Sequence, residues 1–211
     1  GETFLIIGLG LIGILTAQLL KSHGCRVIGI DTDPLKCELA KELGIEIIPE
    51  DFINQPLNWL LKMTNNIGVD GVIITAATQS DKPISIASKA CRKRGRIILV
   101  GVTGLNFKRD LMYEKEISFQ VSCSYGPGRY DENYEENGID YPIGFVRWTE
   151  KRNFEAVLFA IKSKNLNVQK LITKSFDIKD SLKAYTSLIN EPQNIGIVLN
   201  YPTENFENKN I

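Results

Sequence analysis

Histidine is almost missing from this chain of 211 residues, and its cysteines are scattered. The one histidine, His23, lies just before Gly24, where an imidazole is usually a helix C-terminal feature, so we assign it no catalytic role. No two of the four cysteines have the spacing of a metal-ligand or redox pair. A Ser–His–acid set and a Walker loop are also missing. The sequence therefore offers neither a metal centre nor a nucleophilic triad.

Net charge is also absent, because 25 Lys and Arg residues balance 25 Asp and Glu residues. A neutral chain gives no electrostatic reason to expect nucleic acid or an anionic membrane as a partner. The longest apolar stretch begins at Phe4, is too short to span a bilayer, and lacks the features of a signal peptide. We therefore expect a cytoplasmic protein with reduced cysteines, no nucleic acid partner and no membrane contact.

The chain begins abruptly, without an initiator methionine and only a few residues before an apolar run. We expect it to be a fragment of a longer polypeptide. Residues 1–200 are predicted to form one domain. Residues 201–211, rich in asparagine and charge, are predicted to be a linker or tail.

Strand and helix patterns alternate over the first hundred residues. Apolar runs predict strands at 3–7, 25–30, 45–48, 69–75 and 96–102, with a sixth at 116–122. Helices are predicted at 10–22, from Pro34 to about Gly44, from a cap at Asp51 to about Asn65, and at 82–93, and later at 148–162 and 181–189. Short strands follow at 171–176 and 195–199. Repeated strand–helix units predict an α/β fold, a doubly wound Rossmann fold with a six-stranded, mainly parallel sheet flanked by helices.

The strongest motif is GLGLIG at positions 8–13, between the first strand and the first helix. In that context a GxGxxG pattern is typical of a dinucleotide-binding turn. Gly8 permits a tight turn, Gly10 leaves room for a pyrophosphate, and Gly13 lets the helix pack close to the strand. The free N–H groups of Leu11 and Ile12 then point at the phosphates. The alternative is a glycine-rich turn that binds no nucleotide.

Asp31 ends the second predicted strand, at the place where dinucleotide-binding folds carry an acid that hydrogen-bonds the adenosine ribose. A carboxylate there repels the 2′-phosphate of NADP, so we predict NAD as the cofactor. Lys36 can reach the same ribose. The alternatives are that Asp31 only caps the next helix and that Lys36 is a solvated helix lysine.

The nicotinamide half is predicted at the carboxyl ends of the fourth and fifth strands, because ligands of doubly wound sheets cross those ends. The residues there are Thr75, Ala76, Val100, Gly101 and Val102. They are small or apolar, so a flat ring can lie close, and the backbone of Val100 and Val102 can hydrogen-bond a carboxamide. The alternative is that these are ordinary strand ends.

A loop rich in tyrosine follows the sixth strand. Tyr125 and Arg129 flank a Gly-Pro-Gly bend, and four of the seven tyrosines fall between residues 125 and 141. Tyrosine and arginine on a glycine hinge suit a polyhydroxylated or anionic substrate. Since the sixth strand should run parallel to the fifth, we expect both side chains to face the crevice near the nicotinamide. The alternative is a packed surface loop or a subunit contact.

Three segments together resemble the coenzyme domain of zinc-type alcohol dehydrogenases, the medium-chain dehydrogenase/reductase family. They are residues 8–13, GCRVIGID at 24–31 and GRIILVGV at 95–102, and the resemblance extends from Thr3 to Tyr201. The sequence SCSYGPGRYD at 122–131, with VRWTE at 146–150, is similar to a bacterial subgroup. In that subgroup the dehydrogenase is fused to a sugar-type oxidoreductase domain, often associated with surface polysaccharide synthesis.

The resemblance implies a hydride-transfer enzyme with NAD as cofactor and a small-molecule substrate, such as a sugar or sugar nucleotide. In the family a separate N-terminal domain holds the catalytic zinc, so this chain is expected to carry no catalytic or zinc-binding residue and to be inactive alone. Family coenzyme domains commonly pair edge to edge, which implies a homodimer through the sixth strand. One departure is Gly196, where the family often has an arginine near the pyrophosphate.

Two other functions fit the same fold. A nucleotide-sensing regulatory Rossmann module would bind the nucleotide without catalysis, and a scaffold would have kept the fold while losing the ligand. The aromatic loop and the long C-terminal portion favour the enzyme, because sensor modules are shorter.

Overall fold

The computed structural model describes residues 1–202, which fall into two compact units. Unit 1 is Gly1–Asn167, and unit 2 begins at Val168. The single domain predicted for residues 1–200 stays a prediction. Most of the tail predicted for residues 201–211 lies outside the described residues.

Unit 1 alternates strands and helices as the hydrophobic pattern predicts. Its strands are β1 (Thr3–Ile7), β2 (Arg26–Ile30), β3 (Glu46–Ile47), β4 (Val69–Ile74), β5 (Cys91–Leu99) and β6 (Ser118–Val121). Its helices are α1 (Leu11–Ser22), α2 (Pro34–Glu42), α3 (Pro56–Met63), α4 (Lys82–Ala90), α5 (Arg109–Glu114), α6 (Glu132–Glu135) and α7 (Glu150–Lys162).

The six strands form one parallel sheet in the order β3-β2-β1-β4-β5-β6. Parallel neighbours require crossover connections, which the helices supply. The strand order reverses between β1 and β4, and such a switch point opens a crevice at the carboxyl ends of the strands. The predicted doubly wound Rossmann fold is confirmed, and β6 is an edge strand as expected.

The centre of the core is β1, because Phe4, Leu5, Ile6 and Ile7 are each at most 6% exposed. Successive strand residues point to opposite faces of the sheet, so a strand buried throughout is covered on both sides. Burying a side chain of this size contributes about 1.5–3 kcal/mol. This packing fixes the carboxyl end of β1, where the glycine turn begins.

The predicted helix from Asp51 to about Asn65 is wrong at its start. Residues Glu50–Phe52 form a 3-10 turn, and α3 begins only at Pro56. A proline is tolerated in the first turn of a helix, but inside one its ring clashes with the carbonyl four residues earlier. Pro56 therefore opens α3, and Asp51 does not cap it.

The junction between α4 and β5 also differs from the prediction, because α4 ends at Ala90 rather than at Lys93. The chain enters β5 at once, with a register shift relative to β4 and a left-handed residue, Arg94, at φ +57°. Lys115 stabilises this junction, since its ammonium group donates hydrogen bonds to the carbonyls of Ser88, Lys89 and Cys91 at 2.7–3.2 Å. These carbonyls lie where a helix leaves its last acceptors unsatisfied.

Unit 2 contains β7 (Ile172–Asp177), α8 (Ser181–Asn190) and β8 (Gly196–Asn200), and its two strands pair in parallel. Ser187 on α8 donates to Glu191 at 2.7 Å, and the ammonium group of Lys174 contacts both side chains. These hydrogen bonds lower the pKa of Glu191.

Within residues 1–202, no helix combines the length and the apolar character that crossing a bilayer requires.

Candidate functional site

The glycine turn lies where the carboxyl ends of β1 and β4 diverge. Gly8 has φ +101°, a left-handed conformation that favours glycine, and its N–H donates to the carbonyl of Ile30 at 2.9 Å. A Cβ on Gly13 would overlap the Gly8 carbonyl and lie 2.8 Å from Oγ1 of Thr75. The same carbonyl accepts the Thr75 hydroxyl at 2.6 Å. Turn, helix and β4 therefore meet at one close contact that only a glycine at position 13 allows.

The N-terminus of α1 presents free donors at an open position. Gly10 is its N-cap, and a Cβ there would meet no atom within 4 Å. The hydrogen-bond ladder of the helix begins with the N–H of Ile14, which donates to the carbonyl of Gly10 at 3.0 Å. The first turn carries no acidic side chain, and Leu11 and Ile12 are 38% and 52% exposed. The arrangement suits an anion, because the donors and the helix dipole point at one place.

Asp31 is held rigidly against the glycine turn. One carboxylate oxygen accepts the N–H of Leu9 at 2.6 Å, and the other accepts the N–H of Asp33 at 2.9 Å. Each carboxylate oxygen has a second acceptor position, so both remain able to bind hydroxyl groups. The carboxylate thus fixes the turn, and its remaining acceptor positions are those predicted to bind the ribose of a dinucleotide.

Lys36 is engaged with a neighbour rather than with Asp31. Its ammonium nitrogen lies 3.5 Å from a carboxylate oxygen of Asp33. The same Asp33 caps α2 by accepting the N–H of Leu35 at 3.0 Å. A ribose contact from Lys36 stays a prediction, and it would require the side chain to leave or share this ion pair.

The predicted nicotinamide wall is assembled beside the turn. The N–H of Ala76 donates to Ile7 at 3.0 Å, and a Cβ on Gly101 would overlap the Ala76 carbonyl. The N–H groups of Val100 and Val102 are both used inside the fold, on Ile74 at 2.9 Å and Ala76 at 3.1 Å. Carbonyl oxygens are therefore the backbone groups best placed to meet a carboxamide. Val100 and Val102, which are 41% and 68% exposed, offer apolar surface.

Tyr125 and Arg129 form a local network of their own. Both side chains donate hydrogen bonds to one carboxylate oxygen of Glu135 on α6. The hydrogen bond to Glu135 raises the pKa of Tyr125 to about 12, and the bonds from Tyr125 and Arg129 lower the pKa of Glu135. The guanidinium of Arg129 also lies 4.1 Å from the ring centroid of Tyr130. The role of this pair in substrate binding stays a prediction.

The rest of this loop is built around Tyr134. Its ring stacks on Tyr141 with centroids 5.7 Å apart, and its hydroxyl accepts the first N–H of α7, that of Glu150, at 3.0 Å. A cavity of about 530 Å³ opens between Tyr134 and α7. Three carboxylates and one lysine line it, together with apolar side chains, so its charge disfavours a pyrophosphate.

A metal site requires several donor side chains close together. Within residues 1–202, no group of three or more His, Cys, Asp or Glu side chains lies close enough together to hold a metal ion. The residues of this stretch therefore do not fit a catalytic zinc. The expectation that any zinc belongs to another domain stays a prediction.

The sequence did not identify the segment that joins the ends of β4 and β5. Thr78, Ser80 and Asp81 bind the loop after β5 through backbone and side-chain hydrogen bonds. The available signal was their residue types, because short polar side chains before a predicted helix usually satisfy nearby N–H groups.

Two curated proteins and one solved structure illustrate what the chain is similar to. It is 31% identical over 122 residues to an NAD-dependent alcohol dehydrogenase of Saccharolobus solfataricus, covering 56% of this chain and 35% of that protein. It is 25% identical over 207 residues to a D-arabitol-phosphate dehydrogenase of Enterococcus avium, covering 97% and 52%. The crystal structure of 2R,3R-butanediol dehydrogenase from Bacillus subtilis shares the fold, with a TM-score of 0.73, 21% identity and coverage of 94% and 50%.

The chain thus spans about half the length, or less, of the proteins that it matches. A family model described as zinc-binding dehydrogenase matches residues 12–137, which is more than half of the chain. This range includes Gly13, Asp31 and the ends of β4 and β5. The resemblance to the coenzyme domain of zinc-type alcohol dehydrogenases is confirmed, and the chain belongs to the zinc-binding dehydrogenase family.

Proposed function

We propose that this chain is the NAD(H)-binding part of an NAD-dependent oxidoreductase that acts on an alcohol or polyol. The observation that carries the proposal is the meeting of two groups at one crevice. The first turn of α1 offers free N–H groups at the open Gly10, and Asp31 offers a fixed carboxylate beside it. A pyrophosphate and a ribose need those two groups at that separation along the chain.

When bound, NAD(H) supplies the hydride acceptor or donor. The N–H groups of Leu11, Ile12 and Gly13 hold the pyrophosphate, and Asp31 accepts the ribose hydroxyls. The carbonyl of Ala76 and the side chains of Val100 and Val102 provide a wall for the nicotinamide. The single negative charge of Asp31 disfavours the 2′-phosphate of NADP.

For the substrate we propose a sugar or sugar nucleotide, in a bacterial protein of the polysaccharide-associated subgroup. Support comes from the polyol phosphate in the name of the Enterococcus avium relative and from the residue types of the loop. Arg129 is the cation proposed to receive a phosphate or carboxylate. Because Glu135 holds its guanidinium in the structure, an anionic substrate has to compete with that ion pair.

Further proposals concern the activity of the chain, its location in the cell and its oligomeric state. The chain alone is proposed to be inactive, because a zinc-dependent step needs a cluster of metal ligands, and residues 1–202 contain none. We place the protein in the cytoplasm, in accordance with four unpaired cysteines. It is proposed to form a homodimer through β6, which lies at the sheet edge and is largely exposed.

The experiment that tests the cofactor site is a calorimetric titration of NAD(H) and NADP(H) into the wild-type chain and a Gly10→Asp variant. Aspartate is a good N-cap, and a Cβ at position 10 meets no atom within 4 Å, so we expect the variant to keep the fold while its carboxylate competes for the pyrophosphate position. We expect the wild type to prefer NAD(H), and the variant to lose binding at an unchanged or higher melting temperature.

The matched control is Gly144→Asp, which adds the same charge at another glycine whose Cβ would meet nothing within 4 Å. This control should bind NAD(H) as the wild type does. Wild-type protein that binds neither cofactor, or NADP(H) more tightly, contradicts the proposal. So does a Gly10→Asp variant with undiminished affinity.

A further inference from the structure

The loops after β4 and β5 are joined beyond the ends of the strands. The N–H of Thr78 donates to the carbonyl of Val102 at 2.8 Å, and the N–H of Gly104 donates to Ser80 at 3.2 Å. The last link is made by a side chain, since Oδ1 of Asp81 accepts the N–H of Asn106 at 2.9 Å. We call residues 76–81 and 102–106, with these hydrogen bonds, the clasp.

The side chain of Asp81 does not form the helix cap that its position suggests. It is the N-cap residue of α4, where an aspartate normally accepts an N–H of its own helix, but its side chain makes no cap hydrogen bond. Oγ of the preceding Ser80 accepts the N–H of Lys82 at 3.1 Å instead. The Asp81 carboxylate is thereby free to hold a segment 25 residues further along the chain.

The clasp is closely fitted around this carboxylate. A Cβ on Gly104 would overlap Oδ1 of Asp81 and lie 3.0 Å from its carboxyl carbon. The adjacent Thr103 keeps its hydroxyl buried without a hydrogen-bond partner among the described residues. An unsatisfied buried hydroxyl costs free energy, so the surrounding contacts must hold this segment in place.

We propose that Asp81 is a positioning residue that fixes the nicotinamide end of the cofactor crevice. The inference rests on the proposed function. With the adenosine ribose at Asp31 beside β1, a dinucleotide that crosses the sheet places its other half at the carboxyl ends of β4 and β5. The clasp joins those two ends and holds Val102, the most exposed apolar residue of the wall, through the carbonyl that Thr78 binds.

The expected effect follows from a shift in population. Without the Asp81 link, the loop at 102–106 spends part of its time away from the binding-competent position, and the apparent affinity falls with the competent fraction. Loss of the hydrogen bond between Asp81 and Asn106 corresponds to about a three- to tenfold weaker apparent affinity. Only a ligand that contains the nicotinamide ring should experience this loss.

The test compares NADH with ADP-ribose, which has the same adenosine and pyrophosphate but no nicotinamide. Both are titrated by calorimetry into the full chain, and NADH fluorescence reports on the ring itself. Asp81→Ala removes the acceptor, and Gly104→Ala displaces it through the added Cβ. Asp81→Asn is the matched control, because its amide oxygen still accepts the N–H of Asn106 while the charge is gone.

We expect Asp81→Ala and Gly104→Ala to weaken NADH binding by about three- to tenfold and to leave ADP-ribose unchanged. Asp81→Asn should retain wild-type affinity for both. The double variant Asp81→Ala/Gly104→Ala should be no weaker than Asp81→Ala alone, because both changes act on one contact.

Equal losses for NADH and ADP-ribose, or an Asp81→Asn variant as weak as Asp81→Ala, overturn the positioning role. Unchanged NADH affinity in Asp81→Ala overturns it as well, even if Gly104→Ala fails to fold. A failure of the proposed function looks different, because the wild-type chain then binds neither NADH nor ADP-ribose.

Discussion

Replacing Asp31 separates its cofactor role from its structural role. Asp31→Asn removes the charge and keeps one acceptor oxygen, whereas Asp31→Ala removes both acceptors. In the alanine variant the N–H groups of Leu9 and Asp33 lose their partners. Leu9 is fully buried, so its orphaned N–H should lower the free energy of unfolding by about 1–3 kcal/mol.

The magnitude for cofactor choice follows from Coulomb's law. Two unit charges 4 Å apart interact by about 1 kcal/mol in water and by more in a partly buried site. A 2′-phosphate carries about 1.5 to 2 negative charges. Neutralising Asp31 should therefore reduce the preference for NAD over NADP by about 1.5–2 kcal/mol, or about 10- to 30-fold. Asp31→Ala should in addition weaken NAD binding by about 1.5–3 kcal/mol.

The assay is calorimetric titration of both cofactors into wild type, Asp31→Asn and Asp31→Ala, with urea denaturation of each. Asp110→Asn is the control, because it removes the same charge from the exposed first turn of α5. If Asp31→Asn and Asp110→Asn shift the preference equally, direct contact between Asp31 and the ribose is refuted. The same holds if Asp31→Asn leaves the preference for NAD unchanged.

Two further changes test other parts of the fold. Lys115→Met keeps the aliphatic length but leaves three carbonyls at the end of α4 without their charged donor. Urea denaturation should therefore show that the free energy of unfolding falls by about 1.5–3 kcal/mol. A variant as stable as the wild type would show that water satisfies these carbonyls equally well. Light scattering of the wild-type chain should give a dimer. Val121→Lys should shift the chain towards monomer, because a charge on an exposed edge strand opposes self-pairing. A wild-type monomer at high concentration contradicts pairing through β6.

The centre of the sheet could be predicted from the sequence because β1 and β2 are buried on both faces. A run such as Phe4 to Ile7 is then apolar at every position, and the helices between the runs leave few possible topologies. The glycine turn could also be predicted from the sequence. Gly8 and Gly13 are each required by a conformation or contact that other residues do not allow, so their spacing carries geometric information.

Other elements could not be predicted because their order depends on tertiary contacts. The short helices α5 and α6 have no buried residue, so they lack an apolar pattern that would reveal them. The ion pair of Lys36 with Asp33 depends on rotamer choice, as does the convergence of Tyr125 and Arg129 on Glu135. Residue type indicates that such groups can bind a ligand, but it does not indicate which neighbour they bind first.

Gly10 shows which part of the crevice natural selection can act on separately from folding. Gly8 and Gly13 are required by the local backbone contacts of the turn, so we expect a lineage that stopped using a dinucleotide to keep both. Position 10 carries no such demand, and serine or aspartate would cap α1 better than glycine does. A domain that had become a mere scaffold would gain stability by accepting one of those residues there. We therefore expect glycine to persist at this position only while the crevice binds a dinucleotide, and to be the first of the three glycines to disappear if the site were no longer used.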